Sequence, residues 1–246
     1  MPFELANRYS HKHLIVQPVD LWLSPPESYL CVQDGLIISC GVLYSLCYLF
    51  YMRKIYQDKT FPGILEYLCP NMAYEIYYAF VTTSTRFERF SFLTWFLLDV
   101  SFAAVAVTSL YPYGGRGMIT GKLFIGALVG IGFLYTLCRY FPDDREQVTA
   151  YWTGILLQLP VGWGSIYLLL KRGDTKGQSL EIWITRYLGC FTAYGVFFWR
   201  YLNAPQNWSY VGSFWSIAII VITLIPETAY PFVYAYVNHK EKVKTV

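Results

Sequence analysis

Three carboxyl side chains interrupt long apolar runs: Glu75 in PNMAYEIYYAFV, Asp99 in FLTWFLLDVSFAAVAV and Glu227 in AIIVITLIPETAYPFVYAYV. A charge at bilayer depth is disfavoured by about 3 kcal/mol on insertion scales, so each acid is a functional-site hypothesis by default. Helical spacing predicts ring neighbours for all three. Glu75 shares a face with Asn71, Tyr78 and Ala79, Asp99 with Trp95 and Phe102, and Glu227 with Thr223, Tyr230 and Tyr234. Desolvation favours the neutral form of a carboxyl group, so a buried acid can keep its proton and serve as a general acid. Aromatic faces attract positive charge, more strongly without water. A dry, ring-lined pocket with a proton donor suits carbocation chemistry: the donor starts the cation, the rings stabilise it and the missing water delays quenching. Pro70 and Pro226 precede Glu75 and Glu227 by five residues and one. Carbonyls freed by helix prolines are tolerated at depth where they line a cavity.

The elements that hold these acids are membrane helices. Of 246 residues 14% are charged, 55% hydrophobic and 20% aromatic, whereas a soluble domain carries about a quarter charged residues. Seven windows reach the roughly 20 apolar residues of a span: 31–52, 63–84, 90–110, 119–140, 148–170, 180–201 and 210–237. Short connections make 1–246 one all-α integral membrane bundle. The first 28 residues lack a cleavable apolar core, so the first span is expected to act as an uncleaved anchor. One set of loops holds 11 basic residues and the other 7. The positive-inside rule therefore puts the N-terminus outside or lumenal and the C-terminus in the cytosol. The endoplasmic reticulum is the expected membrane. At about 1.5 Å per residue the three acids then lie within a turn or two of one depth. A basic, Asp-Lys-Thr-like loop precedes a span at MRKIYQDKTFPGILEYLCPNMAYE and again at LLKRGDTKGQSLEIWITRYLGCFTAYG, a faint internal repeat.

Other residues read more plainly. The six cysteines lack zinc or redox spacing and are small core hydrophobes. Arg186 lies inside a span, placed to snorkel, to form an ion pair with Asp99 or to bind substrate. Trp152, Trp208 and Tyr210 sit at span ends as interfacial belt. Asp34, Glu66 and Glu181 are expected to be solvated. The Asp143, Asp144, Arg145, Glu146 run reads as a solvated turn. A net charge of +3 gives nucleic acid no electrostatic support as a partner. No motif implies a metal, a nucleotide or an obligate protein partner.

Three segments resemble the membrane-bound terpene cyclases of fungal meroterpenoid and indole-diterpene pathways, typified by the paxilline cyclase. CPNMAYEIYYAF (69–80) is similar to a Cys-x-Asn-x-Ala-Trp-Glu segment, with Tyr74 in place of Trp. RGDTKGQSLEIWITRYLG (172–189) is similar to Arg-Gly-x-Thr-x-Gly-x-Ser followed by Trp and Arg-Phe-Leu-Gly. LIPETAYPFVYAYVNHKE (224–241) is similar to a Leu-Ile-Asp-x-x-Tyr segment, with Glu227 in place of Asp. The resemblance implies a seven-span enzyme without metal or redox cofactor. It would protonate an epoxidised prenyl chain carried on an aromatic, polyketide or indole head, and the cation would then close fused rings. It also implies that Glu75 and Glu227 form the essential pair acting in protonation.

Residues and resemblance together give an expected cyclase. Glu75 would be general acid and Glu227 its partner, with Asp99 as helper or terminal base. Asn71, Tyr74, Tyr78, Trp95, Phe102, Trp183, Arg186, Tyr230 and Tyr234 would contact a hydrophobic prenylated substrate drawn from the lipid bilayer. The alternative is a seven-helix solute transporter of the Pro-Gln-loop type, suggested by QLPVGWGSIYLLLKRGDTKGQSLEIW and the faint repeat. A heptahelical receptor or scaffold is a third reading, weakened by the lack of long loops and tails.

Overall fold

The computed structural model describes residues 12–23, 27–142 and 147–245. Among them the regular elements are all helical, and each of the seven predicted windows holds one main helix. These are α1 (Glu27–Asp58), α2 (Leu68–Val81), α3 (Arg86–Leu110), α4 (Tyr113–Tyr140), α5 (Gln147–Arg172), α6 (Leu180–Asn203) and α7 (Phe214–Thr245). Five of them, α1, α3, α4, α5 and α7, are long and apolar enough to cross a membrane. Helix α2 has 14 residues, a rise of about 21 Å, less than the roughly 30 Å of a hydrocarbon core. The Asp143 to Glu146 run, expected to be a solvated turn, lies outside the described residues.

Local chemistry sets the helix starts. The Thr85 hydroxyl accepts from the Glu88 N–H at 3.1 Å, and the Glu88 carboxylate accepts from the Ser84 N–H at 2.6 Å. This reciprocal cap opens α3. Ser179 caps α6 by accepting from the Ile182 N–H. Pro70 falls in the first turn of α2, where its missing N–H costs no helical bond.

Helix α1 lies along α6, α5 lies along α7, and α2 is held between α3 and α4. The last contact is close because small residues meet: a Cβ on Gly130 of α4 would lie 2.6 Å from the Cβ of Ala73, and one on Gly126 would lie 2.6 Å from the Cys69 sulfur. Small residues spaced four apart let membrane helices approach backbone to backbone. The far side of α4 exposes Phe124, Ile125, Leu128, Val129 and Phe133, an apolar face suited to lipid.

The two loops that echo each other in sequence lock together in space. The Gly177 N–H donates to Asp58 Oδ2 at 2.7 Å, and Arg172 Nη1 donates to the Phe61 carbonyl at 3.1 Å. Thr175 donates through its N–H and hydroxyl to Glu241 on α7, each at 3.0 Å. Gly177 has φ +76°, and a Cβ there would lie 2.7 Å from the Thr60 carbonyl oxygen. The Arg-Gly-x-Thr-x-Gly-x-Ser motif is thus a clamp that ties α1, α5, α6 and α7 at one end of the bundle.

At the other end the segment before α1 folds back over the helices. Asp34 pairs with His13 at 2.8 Å and accepts from the Leu14 N–H, so it is half-buried and bonded where the sequence suggested solvation. Trp208 is fully buried and donates to Asp20 at 2.8 Å, with Tyr29 and Asn207 donating to the same carboxylate. It is not an interfacial ring: the returning segment covers it. Glu66 and Glu181 are exposed, and of the six cysteines only Cys31 is.

Candidate active site

Two chambers meet in the middle of the bundle. The first, about 290 Å³, is lined by Tyr74, Glu75, Phe92, Trp95, Tyr194 and Phe197 among others. The second, about 440 Å³, is lined by Tyr51, Phe61, Asp99, Phe102, Ser165 and Arg186 among others. Tyr44, Tyr48, Asn71 and Gln158 line both and form the shared wall. Tyr44, Tyr48 and Tyr51 lie at i, i+4 and i+7 on α1, a single helical face. That spacing was visible in the sequence, but no acid lies within one helical turn of these tyrosines on α1.

Glu75 of α2 and Asp99 of α3 come together at the wall. Their carboxyl groups lie side by side, with the Tyr48 hydroxyl beside Asp99. Both are buried, and Glu75 Oε2 and both Asp99 oxygens lack a hydrogen-bond partner among the described residues. Glu75 faces the first chamber and Asp99 the second. Phe102 is ringed by Tyr48, Tyr51 and Phe61 with centroids 5.3–5.9 Å away. On the other side Phe92 bridges Tyr74 and Trp95, each 6.1 Å away.

Glu227 has a different partner. Arg186 Nε donates to its Oε1 at 2.8 Å and Nη2 to its Oε2 at 3.0 Å. Both side chains are at most 3% exposed. Arg186 Nη1 also donates to the Tyr51 hydroxyl and, at 3.3 Å, to Ser165. Gly162 makes room for this carboxylate, since a Cβ there would lie 3.1 Å from Oε1. Arg186 therefore pairs with Glu227 rather than Asp99. Glu75 and Glu227 do not touch: the first has Asp99 beside it, the second lies behind Arg186.

The prolines of α7 explain two tryptophans. Pro226 and Pro231 have no N–H, which frees the carbonyls of Ile222 and Glu227 four residues earlier. Trp163 donates its indole N–H to Ile222 at 3.2 Å, and Trp183 donates to Glu227 at 2.7 Å. The freed carbonyls bind neighbouring helices and line no chamber. Trp183 is correspondingly not a chamber wall. It stacks on Tyr187 and Tyr230, and Tyr230 stacks on Tyr234. Tyr230 in turn donates to Gln178 at 2.7 Å. This ladder stiffens the ground around the Arg186–Glu227 pair. Trp183→Phe would leave a buried carbonyl without a donor, at a cost of about 1–3 kcal/mol. Its melting temperature in detergent should fall accordingly, and an unchanged midpoint would contradict that role.

The remaining predicted contacts divide. Asn71, Tyr74, Trp95 and Phe102 line a chamber. Tyr74 is also anchored through its hydroxyl to the Ala150 carbonyl at 3.1 Å. Tyr78 does not reach either chamber: it is fully buried between Tyr74 and Tyr77. Sequence reasoning missed Glu88 and Arg200, which lie buried at the end of the first chamber. The Thr85-x-x-Glu88 capping pattern pointed to Glu88. Arg200 falls inside the sixth window, close to its end.

The family model of Pyr4-like transmembrane terpene cyclases matches residues 19–240. The chain is 31% identical over 246 residues to the Pyr4-family terpene cyclase mfmH of Annulohypoxylon moriforme, covering 96% of this chain and 99% of that protein. It is 27% identical to terpene cyclase macJ of Penicillium terrestre, over 86% of this chain and 84% of that one. It is 25% identical to terpene cyclase janB of Penicillium janthinellum, over 88% and 92%. No solved structure matches the chain. With nearly its whole length matched, from the returning segment through most of α7, this helical membrane protein belongs to the Pyr4-like transmembrane terpene cyclases.

Proposed function

We propose that the chain protonates the terminal epoxide of a prenylated substrate with Glu75 and guides the resulting cation to a polycyclic product. The observation that carries this reading is the acid pair at the wall. Two buried carboxyls stand together with orphaned oxygens, while the nearby guanidinium is committed to Glu227. Two like charges so close in an apolar setting cannot both be ionised. A proton held between Glu75 and Asp99 would give their oxygens a partner, and it is the proton the reaction needs. Glu75 delivers it into the first chamber, where Tyr74, Phe92 and Trp95 offer ring faces to a cation. Asp99 shares the proton from behind, and Glu75 takes a proton back from the cation when the cascade ends, which restores the singly protonated pair. Glu227 acts through Arg186, placing that cation and the Tyr51 hydroxyl on the wall of the second chamber.

The same reading makes 1–246 one seven-span domain in the endoplasmic reticulum membrane, N-terminus lumenal and C-terminus cytosolic. The substrate would enter from the bilayer. Family membership disfavours the solute-transporter reading, and a paired assay separates the two. Microsomes holding the protein should convert an epoxidised prenyl-aromatic substrate to a cyclic isomer of equal mass with a new retention time. Liposomes holding it should show no solute flux. Flux without cyclisation would reverse the assignment.

A further inference from the structure

We infer that Arg200 anchors the substrate's polar head group and that this head presents a neutral carbonyl-type oxygen; the inference rests on the cyclase reading above. Arg200 is 4% exposed and lines the far end of the first chamber with Thr82, Glu88 and Gln147. Its Nε donates to Gln33 at 2.8 Å. Trp208 and Phe197 cover the guanidinium, with centroids 4.8 and 5.7 Å away. The two terminal nitrogens have no acceptor among the described residues. A guanidinium carries five N–H donors and no acceptor, so four donors remain open at the chamber that Arg200 lines.

The neighbouring charge narrows what fills the gap. Glu88 lies close enough to feel Arg200. Its oxygens, however, accept from the Ser84 N–H and hydroxyl and, at 3.5 Å, from Gln17. The site is therefore balanced in charge but short of acceptors. A carbonyl oxygen of an ester, lactone or ketone supplies the missing acceptor. A carboxylate would face Glu88, and a head offering only N–H would meet donors. Thr82, the C-cap of α2, stands seven residues beyond Glu75, about 10 Å along the helix axis. A prenyl chain with its reactive end at Glu75 and its head at Arg200 would then lie along Tyr74, Phe92 and Phe197.

The test uses three epoxides with the same prenyl chain: one on an aromatic ester, one on a ring without oxygen and one on an aromatic carboxylate. Wild-type protein in microsomes should show a KM for the ester roughly tenfold or more below those for the other two. Arg200→Met should raise the ester KM by that factor and erase the preference, and Arg200→Lys should restore part of it. If Arg200→Met fails to fold, the wild-type ranking and the Lys variant still decide. Equal wild-type KM values for the three heads, or an equal rise for all three in Arg200→Met, would overturn the head-group site and leave the cyclase reading intact. A wild type that cyclises none of the three would instead overturn the cyclase reading.

Discussion

Glu75→Gln is expected to lower cyclisation of an epoxidised prenyl substrate by at least about a hundredfold, the usual worth of a general acid. Protein level in the membrane should be unchanged. The amide keeps the size of the side chain and can still donate a hydrogen bond, but it cannot release a proton to an epoxide. Asp99→Asn should also impair turnover, because the proton is then held by one carboxyl rather than by a pair. It leaves Glu75 facing the first chamber, so its loss should be the smaller. Product formation per unit of immunodetected protein, read by mass spectrometry, measures both. Normal turnover by Glu75→Gln would remove that residue from the mechanism.

The second large effect concerns stability. Glu227→Leu would strand Arg186, which is at most 3% exposed and has no other carboxylate bonded to it. Breaking one side of a buried ion pair costs about 3–5 kcal/mol, whereas replacing both sides with apolar groups is often neutral. The Arg186→Met, Glu227→Leu double variant should therefore melt well above either single variant in detergent. A double variant no more stable than the worse single would show that the pair does not act as a unit. The folded double variant also separates two roles for Glu227. If Glu227 serves by placing Arg186 and Tyr51, the double variant should match Arg186→Met in its remaining activity. An activity far below that of Arg186→Met would mean that Glu227 contributes its own carboxyl to the chemistry.

The helices and the unusual acids were legible in the sequence for the same reason. Long apolar runs mark helices, and a carboxyl within such a run has nowhere polar to go unless the fold supplies it. All seven windows hold a helix, and Glu75, Asp99 and Glu227 are all buried. Partners between helices were not legible. Lipid and core are both apolar, so the pattern along a membrane helix says little about which face meets which neighbour. Spacing placed Trp95 and Phe102 near Asp99, and both line chambers. It could not tell that Arg186 would turn to Glu227, or that Trp183 would donate to a carbonyl opened by Pro231. Asp34 was misplaced for another reason. It lies near a span end, and the segment around Val16 folds back to bury that end of the bundle.

The most direct test is an experimental structure with a prenyl-aromatic analogue whose epoxide is replaced by an aziridine, the protonated ring standing in for the opening epoxide. The account predicts the aziridine nitrogen within about 2.6–3.2 Å of a Glu75 oxygen, with the chain among Tyr74, Phe92 and Trp95 and Asp99 behind. A nitrogen seated beside Arg186 and Tyr51 in the second chamber, away from Glu75, would contradict it.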